Sequence, residues 1–295
     1  MANPILRQKL DRREFFVAPG LQDMIAATVA NEVGFDIVYG SGYWLTASYL
    51  GLPDAGIATY TEMLSRVAKV VEKSTAPVIA DADTGFGGLL NVHHTVRGYE
   101  RAGVTAIQIE DQEFPKKCGH TPYRRVVPME EMVAKVKVAV DARTSRDFLV
   151  IARTDARGQH GFDEAVRRGR AYAEAGADVV FVEALHSEDE MRAACAAIPA
   201  PMMANMSDGG KTPIRSQAEL AALGYRLAIF PAMAALAASA AIERAMQNLK
   251  AHGTSRSPDV PLFSFDEFCR MVGFGEVWAF EEKWKDVLEK RGTKP

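Results

Sequence analysis

Lys116-Lys117-Cys118-Gly119-His120 places a thiol between two lysines and a histidine. Nearby positive charge favours thiolate over thiol, so this spacing predicts a lowered Cys118 pKa and proton exchange near neutral pH. The competing reading is a solvated basic loop with an incidental cysteine. Asp81-Ala82-Asp83 sets two carboxylates at i and i+2, which along a strand point to the same side. Carboxylates held that close repel unless a cation or a proton intervenes. Mg²⁺ suits such a site, because it keeps several waters and takes only one or two carboxylates plus substrate oxygens. Mn²⁺ fits the same oxygen set. Glu110, in Ile109-Glu110-Asp111-Gln112, extends the acidic set, and Asp54 reaches it from the loop at Gly51–Gly56. Alone, an Asp-x-Asp is an ordinary cap or turn; its coincidence with Glu110 favours a metal site.

Arg153 and Asn205 offer groups for a substrate carboxylate, Arg153 through its planar fork. Each serves equally as a buried salt bridge or a strand-end hydrogen bond. Tyr39-Gly40-Ser41-Gly42-Tyr43 either presents backbone N–H groups to an anionic oxygen or forms only a turn. Tyr39, Tyr43 and Glu183 are the candidate bases. Gly85-Phe86-Gly87-Gly88 is not a G-x-G-x-x-G nucleotide fingerprint and reads as a tight turn. His93-His94 lies on a helix and reads as surface.

These residues need a frame that gathers strand ends. Short apolar runs rich in Val, Ile and Phe alternate with stretches of helical period, the pattern of repeated βα units. Eight strands are predicted, at 15–18, 36–39, 77–80, 106–109, 148–152, 179–182, 201–204 and 227–230. Helices fall between and after them, at about 21–33, 60–73, 91–102, 128–143, 163–175, 187–196, 216–223 and 232–251. Eight units predict an α/β fold of the (β/α)₈ TIM-barrel type, with functional residues at the carboxyl ends of the strands. Asp81 and Asp83, Glu110, Arg153, Glu183 and Asn205 all follow apolar strands directly. A doubly wound sheet would put most of them away from its single switch point. The connection from Asp111 to Val127 has neither helical nor strand period and reads as a lid or binding loop. Phe263, Phe265, Phe268, Trp278, Phe280 and Trp284 crowd a short helical stretch, too much aromatic surface for a free tail. It packs on its own barrel or reaches a neighbouring subunit. The expected organisation is one barrel domain over 1–295, with the barrel at about 15–251 and a C-terminal helical extension at about 258–291.

Composition narrows the partners. The 295 residues are 48% hydrophobic and 25% charged, with a formal net charge of −3. Basic clusters are short, so nucleic acid is not an expected partner. Residues 1–9 carry no apolar segment of a secretory signal. The longest apolar run, Leu227 to Ile242, holds Pro231 and is shorter than a bilayer span, so no membrane is expected. Three cysteines without a C-x-x-C pair point to a reducing, cytoplasmic setting without disulfides.

Asp81–Gly87, Ile109–Gln112, Lys117–His120 and Ala152–Asp155 resemble successive signatures of the isocitrate lyase and phosphoenolpyruvate mutase superfamily, in its order and on its strand ends. The resemblance runs from about residue 15 to about 251. It implies Mg²⁺ and a small 2-oxo or 2-hydroxy carboxylate at the barrel mouth, commonly in a homotetramer whose subunits exchange C-terminal helices. It further implies Asp83 as direct metal ligand, with Asp54, Asp81 and Glu110 acting through water. Ser41, Gly42 and Arg153 would hold the carboxylate. Lys116, Cys118, Gly119 and His120 would belong to a lid, Cys118 donating a proton. Glu183 and Asn205 match further pocket positions. The cysteine resembles the carbon–carbon lyases rather than the phosphonate enzymes. Tyr43 and the run Asn205–Pro213 look more like the dimethylmalate lyase and petal-death-protein branch than 2-methylisocitrate lyase. The implied reaction cleaves a 2-hydroxy di- or tricarboxylate into a 2-oxo acid and a second carboxylic acid. Oxaloacetate decarboxylation or hydrolysis, phosphonopyruvate chemistry and a non-catalytic binding barrel are the alternatives.

Overall fold

A computed structural model describes residues 2–292. Of the expected 1–295 domain, residue 1 and residues 293–295 lie outside the described part. Eight parallel strands pair in sequence order and close on themselves, each with its neighbours and β1 with β8. They are β1 Phe16–Leu21, β2 Val38–Gly40, β3 Val78–Asp81, β4 Ala106–Glu110, β5 Leu149–Thr154, β6 Val179–Val182, β7 Met202–Asn205 and β8 Leu227–Phe230. The helices are α1 Ile5–Asp11, α2 Met24–Val33, α3 Gly42–Leu50, α4 Tyr60–Lys73, α5 Leu89–Arg101, α6 Met129–Ala142, α7 Arg157–His160, α8 Phe162–Glu174, α9 Glu188–Ala197, α10 Gln217–Leu223, α11 Met233–His252, α12 Phe265–Met271 and α13 Phe274–Gly292. The expected (β/α)₈ barrel is therefore what the chain forms.

Local chemistry explains the element starts. Thr59 and Glu62 form a reciprocal capping box on α4, and Ser216 and Glu219 repeat it on α10. Met63, Val67 and Val70 then fall on one face of α4 and are buried. Inside the barrel, Phe16, Ala18, Ile37, Ile79, Leu149, Ile151, Val179, Phe181, Met203, Leu227 and Ile229 form one apolar cluster. Leu6 and Leu10 of α1 join it, which makes α1 a plug at the end of the barrel where the strands begin. A second cluster lies between the strands and the surrounding helices.

Several elements differ from the sequence expectation, among them the single turn of α7, Arg157–His160, which falls in a stretch expected to have no helix. β1 runs on through Pro19-Gly20, a pair that reads as a stop signal. Pro19 pairs with Phe230, and Gly20 lies so close to the Pro231 backbone that any Cβ there would collide. Helices α1 and α3 escape the periodicity reading; α3 carries Gly42, aromatic and β-branched residues and no side-chain cap bond. The chain divides into two compact units, one ending at Ala237 and the other beginning at Ala238, within α11. In the second unit Phe263, Phe265, Trp278, Phe280 and Trp284 are all exposed.

Because Leu6 is fully buried in the interior cluster, Leu6→Ala is expected to lower stability by roughly 2–5 kcal/mol. The urea unfolding midpoint reads this; an unchanged midpoint would show that α1 is not part of the cooperative core.

Candidate active site

One cavity of about 300 Å³ opens where the strands end. It is lined by Tyr39, Ser41, Tyr43, Asp54, Asp81, Glu110, Lys116, Cys118, Gly119, His120, Arg153, Glu183 and Asn205. Every site residue expected from sequence is among these except Gly42 and Asp83, which sit directly behind the lining. A Cβ on Gly42 would stand 2.7 Å from Asp81 Oδ2, so only glycine lets the start of α3 lie against that carboxylate. Asp83 lies behind the Lys116 ammonium. The alternation argument for Asp81 and Asp83 fails in detail. β3 ends at Asp81, and Asp83 adopts a left-handed backbone with φ of 49°. Its N–H donates to Asp81 Oδ1 at 3.0 Å, and its carbonyl accepts the Glu110 N–H at 2.8 Å. The turn, not strand alternation, brings the carboxylates together.

Lys116 Nζ lies 2.5 Å from Asp54 Oδ1 and 2.7 Å from Asp83 Oδ1. Burial works against its charge, but Asp83 and Asp54, followed by Glu110 and Asp81, raise its pKa well above the usual lysine value. Burial likewise pushes the Asp83 carboxyl up to about 7, with Lys116 pulling the other way. Glu110 is raised well above the ordinary carboxyl range, again first by burial. Its Oε1 is buried without a hydrogen-bond donor. Four carboxylates thus share this corner with one ammonium and, beside Glu110, the Arg153 guanidinium 3.3 Å away. This donor set fits a hard divalent cation. Among the described residues no three acidic, histidine or cysteine side chains converge as a dry metal cage would require.

Arg153 is fixed from behind. Its Nε and Nη2 donate to Asp155 Oδ2 and Oδ1, each at 2.9 Å, and Nη2 lies 3.3 Å from Glu183 Oε2. Burial alone would raise the Asp155 carboxyl, but Arg153, aided by Arg124, holds it below the ordinary range. Gly119 passes so close to Arg153 Nη2 that a Cβ would collide with it. Glu183 accepts the Ala184 N–H at 2.7 Å and the Asn205 amide at 2.9 Å; His120 Nε2 is 3.9 Å from its Oε1. The segment 111–127 is held along the cavity by Gln112, whose side chain donates to the Lys117 carbonyl and accepts its N–H. Sequence reasoning missed the apolar wall of Trp44, Ile229, Pro231, Ala232 and Leu236. Of these, Pro231 and Ala232 follow β8 and were discoverable by the strand-end rule; Leu236 was not.

The Cys118 expectation is corrected. Its thiol pKa is raised, chiefly by burial, and the acidic groups Asp54 and Glu183 add to this against Arg153 and a backbone hydrogen bond from His120. Lys116, one of the cations expected to lower it, is held by Asp54 and Asp83 instead. Tyr39 donates to Gln108 Oε1 at 3.2 Å, and burial followed by Asp81 raises its phenol well above the usual value. Burial also raises Tyr43. Both phenols keep their protons. A raised thiol pKa means less thiolate at every pH below it. The rate of iodoacetamide labelling at Cys118 should therefore keep climbing with pH and not level off below about pH 9. A plateau near neutral pH, followed by mass spectrometry, would restore the lowered-pKa reading.

The chain matches the phosphoenolpyruvate phosphomutase family over residues 6–250. It is 46% identical over 279 residues to the 2,3-dimethylmalate lyase of Eubacterium barkeri, covering 95% of this chain and 96% of that protein. With a 2-methylisocitrate lyase of Aeropyrum pernix it shares 41% identity over 286 residues, 97% of this chain and 91% of the relative. Among solved structures, a phosphonopyruvate hydrolase in complex with oxalate and Mg²⁺ superposes with a TM-score of 0.86 at 34% identity, covering 96% of this chain and 99% of that one. On these grounds, and on the barrel and motifs described above, the chain belongs to the phosphoenolpyruvate mutase and isocitrate lyase superfamily.

Proposed function

We propose that this protein is a Mg²⁺-dependent carbon–carbon lyase that cleaves a 2-alkylmalate type of 2-hydroxy dicarboxylate into a 2-oxo acid and a second carboxylic acid. The observation that carries this reading is the composition of one cavity. It joins a carboxylate cluster, a guanidinium locked by Asp155 and a thiol that keeps its proton. The apolar wall of Trp44, Ile229, Pro231, Ala232 and Leu236 in the same cavity favours an alkyl-bearing substrate over a third carboxylate. The similarity to 2,3-dimethylmalate lyase supports the same choice.

Asp83, Asp81, Asp54 and Glu110 would hold the cation, directly or through water. When bound, Mg²⁺ supplies the positive charge that favours an oxyanion at the substrate C2 oxygen. Arg153 and the N-terminal turn of α3 at Ser41 and Gly42 bind and orient the substrate carboxylate. Glu183 takes the 2-hydroxyl proton, since Tyr39 and Tyr43 hold theirs. The C2–C3 electron pair stays on C3, and Cys118 protonates that carbon. Lys116 and His120 complete the lid, residues 111–127, that shuts water out. We place the enzyme in the cytoplasm; no helix among the described residues is long and apolar enough to cross a membrane. We further propose a homotetramer. The exposed aromatic residues of the extension at about 258–291 supply its contacts, and the barrel at about 15–251 forms the catalytic body.

The test is a panel of 2,3-dimethylmalate, other 2-alkylmalates, 2-methylisocitrate, isocitrate and oxaloacetate with Mg²⁺, scored by reduction of the 2-oxo acid product. A 2-alkylmalate should be the best substrate, and silence across the panel would sink the reading. Chelation should reduce turnover by about 100-fold or more, with Mg²⁺ or Mn²⁺ restoring it. Cys118→Ser should lower kcat by about 10²- to 10⁴-fold with little change in KM, and full turnover in that variant would remove Cys118 as the acid. Phosphate released from phosphonopyruvate, seen by phosphorus NMR, would move the assignment to C–P chemistry.

A further inference from the structure

Arg124 stands on the returning half of the 111–127 segment, far in sequence from the cavity's strand ends, yet its side chain is only 8% exposed. Its Nη1 donates to Asp155 Oδ1 at 2.7 Å and its Nε to the Thr121 carbonyl at 3.1 Å. Asp155 Oδ1 is the same oxygen that accepts Arg153 Nη2, and the Asp155 N–H is pinned to Asp111 Oδ1 at 2.9 Å. One buried carboxylate therefore joins an arginine of the segment to the arginine of the cavity. Gly158 on α7 leaves the space for this contact: a Cβ there would stand 2.8 Å from Arg124 Nη2. The neighbouring Arg125 behaves differently, pairing in solvent with Glu113 while its side chain remains 73% exposed. Exposed pairs contribute little, whereas removing one partner from a buried carboxylate is costly. Moving the segment away would leave Asp155 with Arg153 as its single guanidinium partner.

We propose that Arg124 is a positioning residue for the reaction. It latches the segment that carries Lys116, Cys118 and His120 onto the barrel and, through Asp155, sets the orientation of Arg153. This rests on the reading of residues 111–127 as a lid. Closure of the lid and alignment of the carboxylate-binding guanidinium are then one event, because both draw on the same oxygen of Asp155.

The test uses the full chain and a readout that needs no substrate, the rate of iodoacetamide labelling at Cys118 with Cys195 as internal reference. Arg124→Gln should raise the Cys118 rate by about 10- to 100-fold and leave Cys195 unchanged. Gly158→Ala, which displaces the guanidinium tip while keeping its charge, should give a smaller rise of the same kind. Arg125→Gln should stay within about 2-fold of the unaltered chain. In turnover, Arg124→Gln should lower kcat by about 10-fold or more, and Arg124→Lys should recover part of the loss as a point charge without the fork. A Cys118 rate unchanged in both Arg124→Gln and Gly158→Ala overturns the latch. A parallel rise at Cys195 also overturns it, as general loosening. A selective rise at Cys118 with a silent substrate panel upholds the latch and overturns only the proposed substrate.

Discussion

Four carboxylates buried at one barrel mouth cannot all ionise unless positive charge is brought among them, because an unpaired buried ion costs several kcal/mol (roughly, after relaxation). Asp54, Asp81, Asp83 and Glu110 create that demand, and the 111–127 segment answers it with Lys116 at 2.5 Å from Asp54 and 2.7 Å from Asp83. The placement of the segment and the neutralisation of the cluster are thus the same interaction. Asp83 meets that ammonium from a left-handed backbone, φ 49°. The turn is held at both ends, by Asp81 through its N–H and by Glu110 through its carbonyl.

The same pairing decides the state of the thiol. Lys116 turns toward the carboxylates, so Cys118 meets burial and acidic neighbours with only partial relief from Arg153 and the His120 backbone. A thiol in that setting retains its proton and suits an acid better than a nucleophile. Burial first, and then Asp54 and Glu183 brought in from distant segments, therefore set the chemical character of the cysteine against the backbone hydrogen bond from its sequence neighbour His120.

A second buried network steadies the far side of the cavity. Glu110 closes β4 and faces the cavity, while Asp111, the next residue, meets Arg168 and Tyr172 of α8. Asp111 accepts from Thr154, the Asp155 N–H, Arg168 and Tyr172, each within 3.0 Å. Arg168 also donates to the Val127 carbonyl at 2.9 Å, and the Val127 N–H reaches the Asp111 carbonyl. The root of the segment and the backbone of Asp155 are in this way tied to one carboxylate, and Asp155 in turn fixes Arg153. Such fully satisfied buried networks hold side chains in one geometry, which a site that must orient a carboxylate requires.

The amino-acid sequence by itself determined the barrel. Eight apolar runs alternate with helical periods, and βα units of that kind bury both sheet faces only by closing or doubly winding. It also determined which residues meet: parallel strands deliver their carboxyl ends to one face, so Asp81, Glu110, Arg153, Glu183 and Asn205 were legible as a group. Helices α1 and α3 were not legible, since both are short and neither carries a side-chain cap bond, and their stability comes from packing. Nor was the partner of Lys116. Charges adjacent in sequence suggested that it serves Cys118, but in the folded chain burial makes the carboxylates the stronger claimants. Pairing across the cavity, the Asp155 bridge between Arg124 and Arg153, and the parts of the apolar wall that Trp44 of α3 and Leu236 of α11 supply all depend on distances between segments far apart in the chain. Only the tertiary structure decided these, because Coulomb and desolvation terms follow spatial separation and burial, not sequence order.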